Sequence, residues 1–270
     1  MFKQRLVSGI ILIVIAAFAL YTGGMITLAA TLVISLIGYS ELLRIFHIEK
    51  SSLAVIGYTG CILFYVALFF DLAQWTVPII ILFLIVLLGC YVIRFPKYKL
   101  NQMMGCFFGF VYVGVMLSYI YQIRILPNGG EFVVLLFLAA WGNDTLAYCV
   151  GMLIGKHKLT PELSPKKSIE GFIGGIIGAV ALGAIYGIYI QTRLRLSFDP
   201  VMMFPIICGV GAVISVVGDL AASAIKRDAG IKDYGSIIPG HGGILDRFDS
   251  LLLIAPVIYY IMIMISGGTI

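Results

Sequence analysis

The chain has 270 residues, of which 61% are hydrophobic and only 11% charged, with a net charge of +5. So little charge excludes a water-soluble globular domain, and a mean hydropathy of +1.09 points to lipid as the solvent. The apolar runs are continuous rather than alternating, which excludes a membrane β-barrel and leaves an all-α, polytopic integral membrane protein.

Nine runs are long enough to cross the roughly 30 Å hydrocarbon core as helices. In chain order they cover residues 5–21, 25–43, 53–71, 76–94, 103–123, 131–155, 168–190, 201–222 and 250–266. The first has the basic start of a secretory signal. A turn and a second full-length run follow at once, so it is read as a retained span.

Alternating the loops places 15 of the 18 Lys and Arg on one side, including Lys3, Arg94, Lys97, Lys156, Lys167, Lys226 and Arg247. The other side carries Arg124, Arg193 and Arg195. This positive-inside bias predicts a cytoplasmic N-terminus. Residues 1–130 read as a scaffold of spans 1–5, in which Glu41, His47 and Asp71 look like ordinary boundary residues. Residues 131–270 carry the unusual chemistry. The five cysteines all fall within spans, form no Cys-x-x-Cys pair and read as small packing residues.

The seventh span has a stripe of small residues. Gly171, Gly175, Ala179, Gly183 and Gly187 recur every four positions, and Gly174 and Gly178 widen the face. Small residues let helices approach closely in lipid. The stripe fits either a homodimer seam or close packing within one bundle.

Carboxylates inside a membrane are costly and are usually kept for function. Asp144, beside Asn143, lies in span 6, Asp219 lies in span 8, and Asp246 and Asp249 open span 9. Acidic side chains from three helices suit a hard divalent cation such as Mg²⁺. Asp219, Ser223 and Lys226 share one helix face, with Arg227 adjacent and Lys232 and Asp233 following. The loop after span 6 adds Lys156, Lys158, Lys166 and Lys167. Basic groups, a cation and the bare backbone of Gly240, Gly242 and Gly243 together describe a polyphosphate site. His241 suits a general base or a hydrogen-bonding contact, and the second is preferred. There is no Walker loop and no Ser-His-Asp triad.

The stretch "SAIKRDAGIKDYGSIIPGHGGILDRFD", Ser223 to Asp249, resembles the signature of phosphatidate cytidylyltransferases. The likeness extends through Asp144, Ala147, Tyr148, Gly151, Gly155, Lys156, Lys158, Leu159 and "SPKKSIEG", covering residues 142–250. One departure is the run "GMLIGK", whose middle is less basic and aromatic than the family pattern. The resemblance implies transfer of the cytidylyl group of CTP to phosphatidate, with Mg²⁺ and room for a second cation. It implies catalytic roles for Asp219, Asp246, Lys226 and Arg227. Metal ligation would fall to Asp219, Asp246, Asp144 and Asp249. Substrate contacts would come from Ser223, Lys232, Asp233, His241, Gly242, Gly243, Arg247, Lys156, Lys167 and Asn143. The expected partners are CTP, phosphatidate, membrane lipids and a second copy of the chain, with no nucleic acid. The expected location is a bacterial cell membrane, with the site facing the cytoplasm. Two alternatives are a CTP-dependent lipid kinase of the polyprenol or phytol type and a transporter with intramembrane ion sites. Polar chemistry at depth seen only in the second half disfavours the transporter, which calls for related halves.

Overall fold

A computed structural model describes residues 2–238 and 242–266, with the side chains of residues 2–8, 10 and 73 left aside. Among the described residues nine long helices follow in chain order: α1 Phe2–Thr22, α2 Gly24–Ile45, α3 Ser52–Phe69, α4 Thr76–Ile93, α5 Leu100–Ile125, α6 Gly129–Ile154, α7 Ile169–Gln191, α8 Pro200–Asp228 and α9 Leu245–Ile265. Among the described residues, the eight from α2 onward are long and apolar enough to cross a membrane. The protein is thus a multi-pass helical membrane protein, as its composition predicts.

Three limits differ from the sequence expectation. α8 runs on to Asp228, past the expected limit at 222, and so carries Ser223, Lys226 and Arg227 on the helix, as their spacing predicts. α9 starts at Leu245, which brings Asp246 and Asp249 into its opening turns. The segment between α6 and α7 holds a small antiparallel hairpin, β1 Lys158–Thr160 and β2 Ser164–Ser168, pairing Lys158 with Ser168 and Thr160 with Ser164. Strands were expected nowhere. This pair lies between spans, where water can reach the unpaired edges that lipid forbids.

The chain divides into two compact units. The first comprises Met1–Tyr121 and Asp233–Arg247, so the signature loop packs with helices far away in sequence. Its core holds Tyr39, Leu42, Leu43, Phe64, Tyr65 and Phe110, all buried. The hydroxyl of Tyr39 donates to the Cys106 carbonyl at 2.9 Å, and Ser35 and Tyr65 share a hydrogen bond of 2.6 Å. Buried polar tips are thereby paired inside lipid-spanning helices. α4 is the contrast: Val77, Ile81, Leu82, Ile85, Val86 and Val92 are exposed, the surface expected against acyl chains.

The second unit comprises Gln122–Lys232 and Phe248–Ile270. The small-residue stripe of α7 lies inside it. Gly171, Gly175, Ala179, Gly183 and Gly187 are all buried. A Cβ on Gly183 would come within 2.7 Å of the Phe204 carbonyl on α8, and one on Gly174 within 2.6 Å of Val150 on α6. The stripe is therefore covered by α6 and α8, which settles its two readings in favour of packing within the bundle. Ser168 caps α7 by accepting from the Gly171 N–H at 3.1 Å.

Candidate active site

In the second unit α6, α7 and α8 enclose a pocket of about 330 Å³ lined by Asn143, Asp144, Tyr148, Lys166, Lys167, Ser168 and Asp219 among others. A π-helical stretch, Leu138–Gly142, immediately precedes Asn143 and Asp144. Such a wide turn rotates the residues after it relative to a regular helix, and it often marks functional sites. Asn143 is fully buried and its Oδ1 has no hydrogen-bond donor within reach. A buried amide oxygen without a donor is costly, so this atom is suited to accept from a bound group.

Across the pocket, Lys167 at the end of β2 forms an ion pair with Asp219 of α8. Asp249 of α9 belongs to the same unit. Its carboxylate feels the charges of Asp219, Asp144 and Lys226, and its backbone oxygen lies near Gly218, one residue before Asp219. Glu170 holds the hairpin to α7: it accepts from the N–H groups of Lys156 and His157 at 3.1–3.2 Å and meets His157 Nδ1 at 2.6 Å. By fixing the strand segment, this clamp presents Lys166 and Lys167 to the pocket.

The first unit carries the other part of the signature. Asp246 is buried, and its Oδ2 accepts from the N–H groups of Tyr234 and Gly243, both at 2.9 Å. Gly242 has φ +85, a backbone that side chains rarely adopt, and a Cβ there would crowd Asp246 at 2.9 Å. The Gly243 N–H is thus already engaged by Asp246, rather than bare for a phosphate as the sequence suggested. Glu41 of α2 accepts from the N–H groups of Ile244 at 3.0 Å and Leu245 at 2.9 Å.

The pocket thus gathers Asn143, Asp144, Lys167 and Asp219 from the expected residues. Ser223, Lys226, Arg227 and Lys232 belong to the same unit but do not line it, and Lys156 contributes only its backbone to the Glu170 clamp. Asp233, Gly242, Gly243, Asp246 and Arg247 belong to the first unit, and Arg247 is exposed. His241 lies outside the described residues. The reading of Glu41 as a boundary residue is corrected: it is fully buried, with 0% of its surface exposed. An acidic residue four positions inside the end of a span was the available signal, because burial there demands a partner.

Donor chemistry can be tested against Mg²⁺. Among the described residues no three His, Cys, Asp or Glu side chains stand close enough to enclose an ion. Mg²⁺ at nucleotide sites asks for less: one or two carboxylates, with the remaining positions filled by waters and phosphate oxygens. Asp144 and Asp219 on one pocket, with the donor-less Asn143 oxygen beside them, meet that requirement.

Membrane-length helices around a pocket lined by carboxylates, an amide and a lysine define an integral membrane protein with a charged pocket among its helices. The sequence comparisons specify the family. The pattern of the Cytidylyltransferase family matches residues 3–265, and the chain belongs to that family. It is 32% identical over 268 residues to a phosphatidate cytidylyltransferase of Staphylococcus saprophyticus, covering 97% of this chain and 100% of the relative. The Bacillus subtilis protein of that name is 32% identical over 273 residues, covering 98% of each chain, and the Staphylococcus aureus protein is 33% identical over 269 residues, covering 97% and 99%.

Proposed function

We propose that this enzyme transfers the cytidylyl group of CTP to phosphatidate, releasing pyrophosphate and forming CDP-diacylglycerol. The observation that carries the reading is the near end-to-end match to relatives of that name, and the lysine-and-carboxylate pocket supports it.

The phosphate monoester of phosphatidate is the nucleophile. Its second pKa lies near 6, so at neutral pH it is largely dianionic and needs no general base. The oxygen of that phosphate bonds to the α-phosphorus of CTP as the bond to the β-phosphate oxygen breaks. The barrier is the approach of one anion to another, and stabilising charge is what the chain must supply. Lys167 would do this by exchanging its pairing with Asp219 for a phosphate oxygen. Lys166 on the same strand adds a second ammonium. Lys226 and Arg227 on α8, with Lys232 and Arg247, are our candidates for further phosphate contacts, and Ser223, Asp233, Gly242 and His241 for orienting ones. Asn143 would present its buried oxygen to the bound group. Asp144 and Asp219 would hold Mg²⁺, and metal-ligand roles are proposed separately for Asp249 and Asp246; a bound ion would neutralise charge on the departing pyrophosphate.

The acyl chains of phosphatidate can stay in lipid while the headgroup enters a polar pocket. The basic loops favour a cytoplasmic site in a bacterial cell membrane, where CTP is supplied. A homodimer stays part of the proposal, but its seam would need an exposed face such as that of α4, since the α7 stripe is covered.

The test uses purified protein in detergent micelles with α-labelled CTP and phosphatidate. Label is expected to enter the lipid fraction with Mg²⁺ and to stay in solution with EDTA. Label recovered as soluble CDP, with the γ-phosphate on an added polyprenol, would instead identify a lipid kinase.

A further inference from the structure

The first unit contains a pair of carboxylates whose roles interlock. Glu41 lies near the end of α2, and its two oxygens accept the Ile244 and Leu245 N–H groups, 203 and 204 residues further along the chain. Those are the opening residues of α9, whose first N–H groups have no partner within the helix. A helix start is ordinarily capped by a Ser, Thr, Asp or Asn next to it in sequence. Ile244 has no such side chain, and the cap comes from another helix. Asp246, one residue into α9, turns the other way and takes the Tyr234 and Gly243 N–H groups with its Oδ2. Four backbone donors of the signature loop are thus shared by two acids.

The glycines of the loop fit the same arrangement. A Cβ on Gly243 would lie 2.6 Å from both Glu41 oxygens, and one on Gly235 would strike the same carboxylate. Two of the loop's glycines leave room for Glu41, and Gly242 leaves room for Asp246.

We propose that Glu41 is a positioning residue of the enzyme: it pins the start of α9 and the loop around it, and so fixes the place of Asp246 and Arg247. The proposal rests on the cytidylyltransferase reading only for the metal role of Asp246. Groups that orient a metal ligand typically contribute about 10–100-fold to metal affinity or activity.

The test compares full-length wild type, Glu41→Gln and Gly235→Ala in detergent, with Mn²⁺ binding followed by electron paramagnetic resonance without substrates. Asp199→Ala serves as a control for a lost cap, because Asp199 caps α8 by accepting from Val201. Glu41→Gln is expected to weaken Mn²⁺ binding about tenfold and to lower kcat more than it alters the KM for CTP. Gly235→Ala should do the same, and the double variant should be no worse than the worse single one, since both act on one contact. Asp199→Ala should lower the thermal midpoint and leave Mn²⁺ binding unchanged. If Glu41→Gln does not fold, Gly235→Ala carries the comparison. Mn²⁺ binding within about twofold of wild type in the folded variants would overturn the proposal and reduce Glu41 to a structural cap. A wild type without Mg²⁺-dependent label transfer, but with Mn²⁺ binding weakened by Glu41→Gln, would overturn the proposed reaction and leave the positioning role standing.

Discussion

Lys167 and Asp219 form their ion pair with side chains 26% and 27% exposed, a setting between surface and interior. A surface pair contributes up to about 1 kcal/mol, whereas removing one partner of a buried pair costs about 3–5 kcal/mol. Lys167→Met should therefore destabilise the protein by an intermediate amount, about 1–2 kcal/mol. It should affect catalysis more, raising the KM for CTP at least about tenfold if the ammonium meets a phosphate; steady-state kinetics beside thermal unfolding separate the two effects. Asp246→Asn should lower label transfer more than about 100-fold at a near-wild-type thermal midpoint, because it removes a charge that a metal needs while an amide oxygen can still bond the loop. Full activity would remove Asp246 from the metal set. At this scale the sequence was informative where charge stood deep inside a span: Asp144 and Asp219 were singled out for their cost in lipid, and both line the pocket. Glu41, nearer a span end, was passed over; its place in the helix hinted at a partner, but that partner is a backbone some 200 residues away, whose identity no local pattern encodes.

Among the elements, α7 shows how a pattern can be visible while its partner is not. The four-residue recurrence of small residues correctly marks a close helix contact. It cannot say whether the facing surface belongs to the same chain. In the structure the contacts are with α6 and α8, and a Cβ on Gly175 would lie 2.9 Å from that of Ala147 besides striking Asn143. Gly175→Val should accordingly lower stability by about 1–3 kcal/mol through overpacking, and by displacing Asn143 it should also reduce turnover. Thermal unfolding in detergent checks the first and label transfer the second. An unchanged thermal midpoint would mean that the helices can separate freely at this point. The hairpin between α6 and α7 escaped sequence reading for a different reason. "KLT" and "SPKKS" are too short and too polar to show an alternating pattern. The ends of α8 and α9 were misjudged because hydropathy measures the width of lipid, whereas a helix stops where its backbone bonds stop.

For the whole molecule, the helical class and the order of the apolar helices could be read from length and hydropathy, since lipid leaves the backbone few other choices; eight of the nine expected spans are long and apolar enough to cross among the described residues. The grouping into units could not, because residues 233–247 pack with helices that precede them by more than a hundred positions. Orientation follows from the charge bias and can be tested on intact cells. In a cysteine-free background, Asn128→Cys between α5 and α6 should react with a membrane-impermeant maleimide from outside. Lys97→Cys, between α4 and α5, should react only after permeabilisation. The reverse pattern would invert the topology and place the basic loops away from CTP.

The distance in sequence between Glu41 and the backbone it caps also has a consequence for biogenesis. Glu41 leaves the ribosome 203 residues before Ile244, so at about 5–20 residues per second it waits on the order of 10–40 s without its partners. During that interval the acid lacks the two backbone donors that satisfy it in the finished fold. Completion of the last helix ends the wait. A nascent chain stalled before residue 233 would expose an uncapped acid and an open core, marks by which membrane proteases can tell an unfinished molecule from a finished one.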